Sequence, residues 1–101
     1  MARTPIPIAR ALNQLGEHIS TSRRLLRITS EQLADRAGIS RGTLSALENG
    51  TGGTSAENLL RVTRALGVLD AFVASVDPYA TDVGKLRADE ILPRRVRQDK
   101  Q

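Results

Sequence analysis

The sequence predicts an all-α fold, five short helices in one small domain followed by a C-terminal tail. Three observations predict it. Apolar residues recur at helical spacing from Ile8 to Val76. Serines and threonines that start helices, and glycines that end them, punctuate those runs. The chain has 101 residues and 40% hydrophobic content, with Phe72 and Tyr79 its aromatics, so the core must be aliphatic and modest.

Taken in order, Met1 to Ile6 reads as a flexible arm, and Pro7 suits the first residue of a helix. Ile8, Leu12, Leu15, Ile19, Leu25 and Leu26 carry a helical period as far as Arg27; Gly16 and the run Ile19-Ser20-Thr21-Ser22 weaken it. Thr29-Ser30-Glu31-Gln32 fits a capping box at the start of the second helix. There Leu33 and Ala37 share a face, and the small Ala34 lets another helix cross closely. Gly38 can close that helix in the left-handed conformation. Ile39 then points into the joint, and Ser40 caps a third helix from Arg41 to about Glu48, with Leu44 and Leu47 on its inner face.

Asn49-Gly50 ends the third helix, and Thr51-Gly52-Gly53-Thr54 is a loop. Ser55 caps a fourth helix, Ala56 to Ala65, whose inner face carries Leu59, Val62, Thr63 and Leu66. After Gly67, a fifth helix with Leu69, Phe72, Val73 and Val76 runs up to Asp77-Pro78. The first domain is therefore placed at 1–76, and 77–101 is read as an appendage, partly extended or disordered. Within it a short helix is expected over Asp82 to Leu92, with Pro93 ending it and Arg94-Arg95-Val96-Arg97 a basic extended tail.

Composition excludes several functions. There is no cysteine for a disulfide or thiolate site, and His18 alone cannot build a metal site. No Ser/His/Asp or Cys/His set exists, and Asp89 and Glu90 diverge by about 100° on a helix. The expectation is a chain that is not an enzyme and takes no cofactor. The start lacks the apolar run of a secretory signal and nothing is long enough to span a membrane, so the cytoplasm is the expected compartment. Two aromatics do not suit RNA binding by base stacking. The net charge of +4 is segregated. Met1 to Leu69 carries nine arginines against five acids, Asp70 to Pro93 two bases against five acids, and Arg94 to Gln101 four bases against one. A basic main domain suits a polyanion.

The string Ser30-Glu31-Gln32-Leu33-Ala34, then Ala37-Gly38-Ile39-Ser40, Thr43-Leu44-Ser45 and Leu47-Glu48-Asn49-Gly50, resembles the Cro/repressor (Xre) class of helix-turn-helix proteins. The likeness covers Leu15 to Val76. It implies a lambda-repressor-like fold, sequence-specific binding to double-stranded DNA in the bacterial nucleoid, and transcriptional repression by a homodimer. Half-sites would then lie one helical turn apart, about 34 Å. It also implies that Arg23 pairs with Glu48, fixing how the first helix supports the third. One departure stands out. The family usually has Gln where this chain has Ser30, so the bracing of a base-reading side chain is not expected here. More loosely, Gly50 to Asp70 and Leu92 to Arg97 resemble HipB-type antitoxins, which implies a HipA-type kinase toxin as an alternative partner.

On the third helix, Ser40, Arg41, Gly42, Thr43, Ser45 and Ala46 form the outward face. Arg41 can fork onto O6 and N7 of guanine, and Thr43 and Ser45 can meet a base edge. Gly42 and Ala46 offer nothing polar, so few bases are read directly and DNA shape must contribute. Phosphate contacts are expected from Ser30, Ser40, Asn49, Thr51, Gly52 and Thr54, whose helix starts and glycine loop let amides approach an anion. Arg24 and Arg27 are read as facing solvent or phosphate. Leu69, Phe72, Val73 and Val76 are the expected dimer surface.

Overall fold

The computed structural model describes residues 3–92. Its first four helices are α1 (Ile6–Leu25), α2 (Ser30–Ala37), α3 (Arg41–Glu48) and α4 (Ala56–Leu66). All four end in one backbone motif. The second residue past the cap donates to a carbonyl five back, and the residue before it donates three back. The pairs are Ile28 to Arg23 and Arg27 to Arg24, Ile39 to Ala34 and Gly38 to Asp35, Thr51 to Ala46 and Gly50 to Leu47, Val68 to Thr63 and Gly67 to Arg64. In each, one residue takes a left-handed φ, and the chain reverses there.

The helix starts are equally regular. Thr29 Oγ1 accepts from the Gln32 amide at 3.0 Å, and Gln32 Oε1 accepts from the Thr29 amide at 2.8 Å, completing the capping box. Ser40 and Ser55 accept from the amides of Thr43 and Asn58. Helix α1 starts at Ile6, one residue before the expected Pro7. Pro5 is the cap residue and its carbonyl accepts from Ile8 and Ala9, an arrangement that needs no amide hydrogen on Pro7.

The core is aliphatic, made of Ile19, Ile28, Leu33, Ala34, Ala37, Leu44, Leu47 and Val62, with Leu15, Ile39, Leu59 and Leu66 packed around it. Leu33 and Leu44 are fully enclosed, each worth about 1.5–3 kcal/mol of burial. Thr63 is also buried, its hydroxyl donating to the Leu60 carbonyl. Two sequence expectations fail at the end of α1. Leu25 and Leu26 are 78% and 50% exposed, and Ile28 takes their place in the core. The reversal at Arg27 is the reason, because it turns Ile28 back onto the helix it follows. Ile8 is likewise exposed.

The chain divides at Leu69/Asp70 into two compact units, ahead of the boundary placed after Val76. The remaining elements are α5 (Leu69–Ala74), a 3₁₀ turn (Pro78–Ala80) and α6 (Asp82–Ile91). The described residues thus hold six α-helices and no strand, the five expected of the main fold and the short one expected over Asp82 to Leu92. Helix α5 stops at Ala74 instead of reaching Asp77. Val76 and Asp77 donate only three residues back, and Pro78 holds Asp77 extended. In α6, Thr81 caps by accepting from the Gly84 amide, and a Cβ on Gly84 would collide with the Pro78 carbonyl. None of these three elements contains a buried residue. The basic stretch Arg94–Arg97 lies outside the described residues, as do Met1 and Ala2.

Candidate nucleic-acid interface

Helix α3 is held from two sides. Gly16, buried on α1, lies against the carbonyls of Leu47 and Glu48. Arg23, two turns further along the same face of α1, donates from Nε to Glu48 Oε2 at 2.9 Å and from Nη2 to Oε1 at 3.3 Å. Its Nη1 also donates to the Ile28 carbonyl at 3.2 Å. Both side chains are mostly shielded, at 15% and 13% exposure, so the pair is a fork rather than a surface contact. Together these contacts fix the C-terminal end of α3 and leave its other face outward.

That outward face opens a cleft of about 370 Å³ lined by Ser30, Arg41, Gly42, Ser45, Glu48 and Asn49. Ser30 of α2 and the readers on α3 therefore meet across one hollow. Arg41 and Ser45 are exposed, and Arg41 makes no ion pair among the described residues. The Asn49 side-chain Nδ2 donates to Ser45 Oγ at 3.3 Å, leaving the serine hydroxyl a donor for another group. Thr43 is half-buried, and its Oγ1 accepts from Ser40 Oγ at 2.9 Å. Ala46 is half-buried as well, so it contributes less to the outward face than its position suggested.

The phosphate candidates separate into two groups. Ser30 and Asn49 line the cleft, and Ser40 stands at the α3 start with its oxygen already capping Thr43. Thr51, Gly52 and Thr54 lie beyond the end of α3 and do not line that cleft. The Thr51 amide donates to Ala46, which removes it from any phosphate. Gly53, at φ +90, is required by the turn, whereas Gly52 has a φ open to other residues. Phe72, Val73 and Val76 are 36%, 52% and 82% exposed, and Leu69 is half-buried.

The sequence did not point to Gly16 as a packing residue, since a glycine in a helical run reads as a weakness until the crossing helix is seen. Nor did it reveal the gathering of arginines beside the cleft. A second hollow, of about 550 Å³, brings Arg23, Arg24, Arg27 and Arg41 around Ser30 and Glu31. Arg24 and Arg27 precede α2 by only a few residues, so a basic doublet just before a capped helix was the available signal. No helix among the described residues is long and apolar enough to cross a membrane.

A family model described as helix-turn-helix matches residues 19–70, just over half of the chain and the whole of α2 through α4. No curated protein matches the chain, and no solved structure does.

Proposed function

Because the chain belongs to the Xre-type helix-turn-helix family of DNA-binding regulators, we propose that it is a sequence-specific transcriptional repressor that binds its operator as a homodimer. The observation that carries this reading is the cleft where Ser30, Arg41 and Ser45 converge on the outward face of α3. Arg41 reads guanine and Ser45 a neighbouring base edge; Thr43, tied to Ser40, sets the backbone at the helix start and reads less. Ser30, Ser40 and Asn49 hold phosphate and set the register. Thr51, Gly52 and Thr54 contribute at most through side-chain oxygens and the Gly52 amide. Exposed Phe72, Val73 and Val76 on and after α5 support the dimer.

The test is a gel shift on the DNA upstream of the chain's own gene, together with selection of bound sequences from random duplexes. An enriched, two-fold symmetric motif with half-sites about one helical turn apart is expected. Recovery of no preferred sequence would overturn the reading.

A second reading has its own support. The elements from Leu69 to Ile91 bury none of their residues, and a shallow hollow of about 480 Å³ in the second unit is walled by Pro78, Val83, Ala88, Ile91 and Leu92. That surface suits a protein partner, and an antitoxin that grips a HipA-type kinase toxin would use it. A kinase gene beside this one, and co-purification of the two products, favour it; a solitary gene counts against it.

A further inference from the structure

Three of the four matching helix ends place glycine at the left-handed position, namely Gly38, Gly50 and Gly67. The fourth, at the end of α1, has Arg27 at φ 60. A side chain in that conformation crowds its own backbone, and glycine is the residue that avoids this. Packing does not ask for arginine. The residue is exposed, and no hydrogen bond or ion pair holds its guanidinium among the described residues.

The surroundings give the charge a purpose. Arg27 shares its hollow with Arg24 and Arg41, while Arg23 is occupied by Glu48 and Glu31 offsets one cation. Arg24 is partly tethered, its Nε donating to the Ser20 carbonyl at 3.3 Å. Three guanidinium groups against one carboxylate leave the hollow net positive, a field that attracts an anion. Arg41 lines both this hollow and the cleft used for base reading, so an anion held here is continuous with a duplex lying on α3.

We infer that Arg27 is a backbone-gripping residue, which with Arg24 and Arg41 receives a phosphodiester of duplex DNA at the turn between α1 and α2. This rests on the DNA-binding reading above and adds a contact to it. An arginine stands at a glycine position because its charge is needed for binding, at some expense to the fold.

The experiment uses the full chain and a short random-sequence duplex, since a phosphate contact is independent of sequence. Affinity is measured by fluorescence anisotropy across a salt series for the wild type, Arg27→Gly, Arg27→Lys and Arg87→Ala, each with its melting curve. Arg27→Gly should melt at the wild-type temperature or a few degrees above. It should bind roughly fivefold more weakly near about 0.15 M salt, with a slope of log affinity against log salt shallower by about 0.9. Arg27→Lys should keep the wild-type slope, and so should Arg87→Ala, which removes a charge from α6. Unchanged affinity and slope in Arg27→Gly would overturn the inference. So would an equal loss in Arg87→Ala or Arg27→Lys, or a lowered melting point in Arg27→Gly, which would mean that the side chain serves the fold. A wild type that binds no duplex brings down the DNA-binding reading itself, whereas a binding wild type with an indifferent Arg27 brings down only this contact.

Discussion

Gly16 of α1 lies so close to Leu47 of α3 that a Cβ on it would stand 2.6 Å from the Leu47 carbonyl oxygen. The obstacle is backbone, which cannot swing aside as a side chain can. Helix propensity alone favours alanine over glycine by about 0.8–1 kcal/mol. Overpacking against a fixed carbonyl costs about 1–3 kcal/mol. The second effect should win, so Gly16→Ala is expected to lower the melting temperature and to displace α3. Thermal denaturation decides by sign: a higher melting point would mean the crossing is looser than described.

The Arg23–Glu48 fork makes a different prediction. Either partner alone, left mostly shielded from water, becomes a poorly solvated charge. Arg23→Ala and Glu48→Ala should each destabilise the domain by about 1–3 kcal/mol, and the double variant by less than their sum. Arg23 also supports the Ile28 carbonyl, so its removal should cost more than that of Glu48. A double-mutant cycle in denaturant measures the coupling, expected at about 0.5–2 kcal/mol. Additive losses would show that the two side chains act separately.

These two contacts mark how far the sequence could be read. Local signals were legible because they are local. The capping box at Thr29 and Gln32, the glycine turn at Gly38 and the serine caps at Ser40 and Ser55 each depend on residues within a few positions. The bounds of α2 and α3 follow from them. The Arg23–Glu48 pair, 25 residues apart, was expected only through the family resemblance, and other long-range relationships were not legible. Gly16 looks like a flaw in a helix until α3 is laid across it, and Leu25 and Leu26 fit the helical period of α1 while the chain reverses before they reach the core. The hollow containing Arg24, Arg27 and Arg41 joins residues from the end of one helix to the start of another, which periodicity within either helix cannot report.

Thr29 gives a test of local control. Its hydroxyl and the Gln32 side chain satisfy two amides at the start of α2, so Thr29→Ala removes one bond and loosens the other. The expected loss is about 1 kcal/mol, seen as a fall of roughly 4–8 °C in melting temperature for a domain of this size. Thr29→Ser should retain most of it, because a serine oxygen occupies the same place. A serine variant as unstable as the alanine one would show that the methyl group, and not the cap, carries the effect.

The proposed dimer is open to test by charge. Val73 and Val76 are 52% and 82% exposed in the single chain, so polar replacements there remove little packing from the monomer. If a second copy covers them, Val73→Asp combined with Val76→Asp places four carboxylates at one two-fold interface and should break it. Sedimentation should then give a dimer for the wild type and a monomer for the variant, with helix content by circular dichroism unchanged. Operator binding supplies the second readout. Two linked domains gain affinity from engaging both half-sites, and separating them should weaken binding by roughly 100-fold or more. The affinity of one domain for one half-site should stay the same, because Arg41 and Ser45 lie on α3, away from the altered residues in sequence. A variant that remains dimeric would move the interface elsewhere in the chain. A wild type that is monomeric at concentrations where it saturates a two-fold operator would mean that DNA itself brings the two copies together.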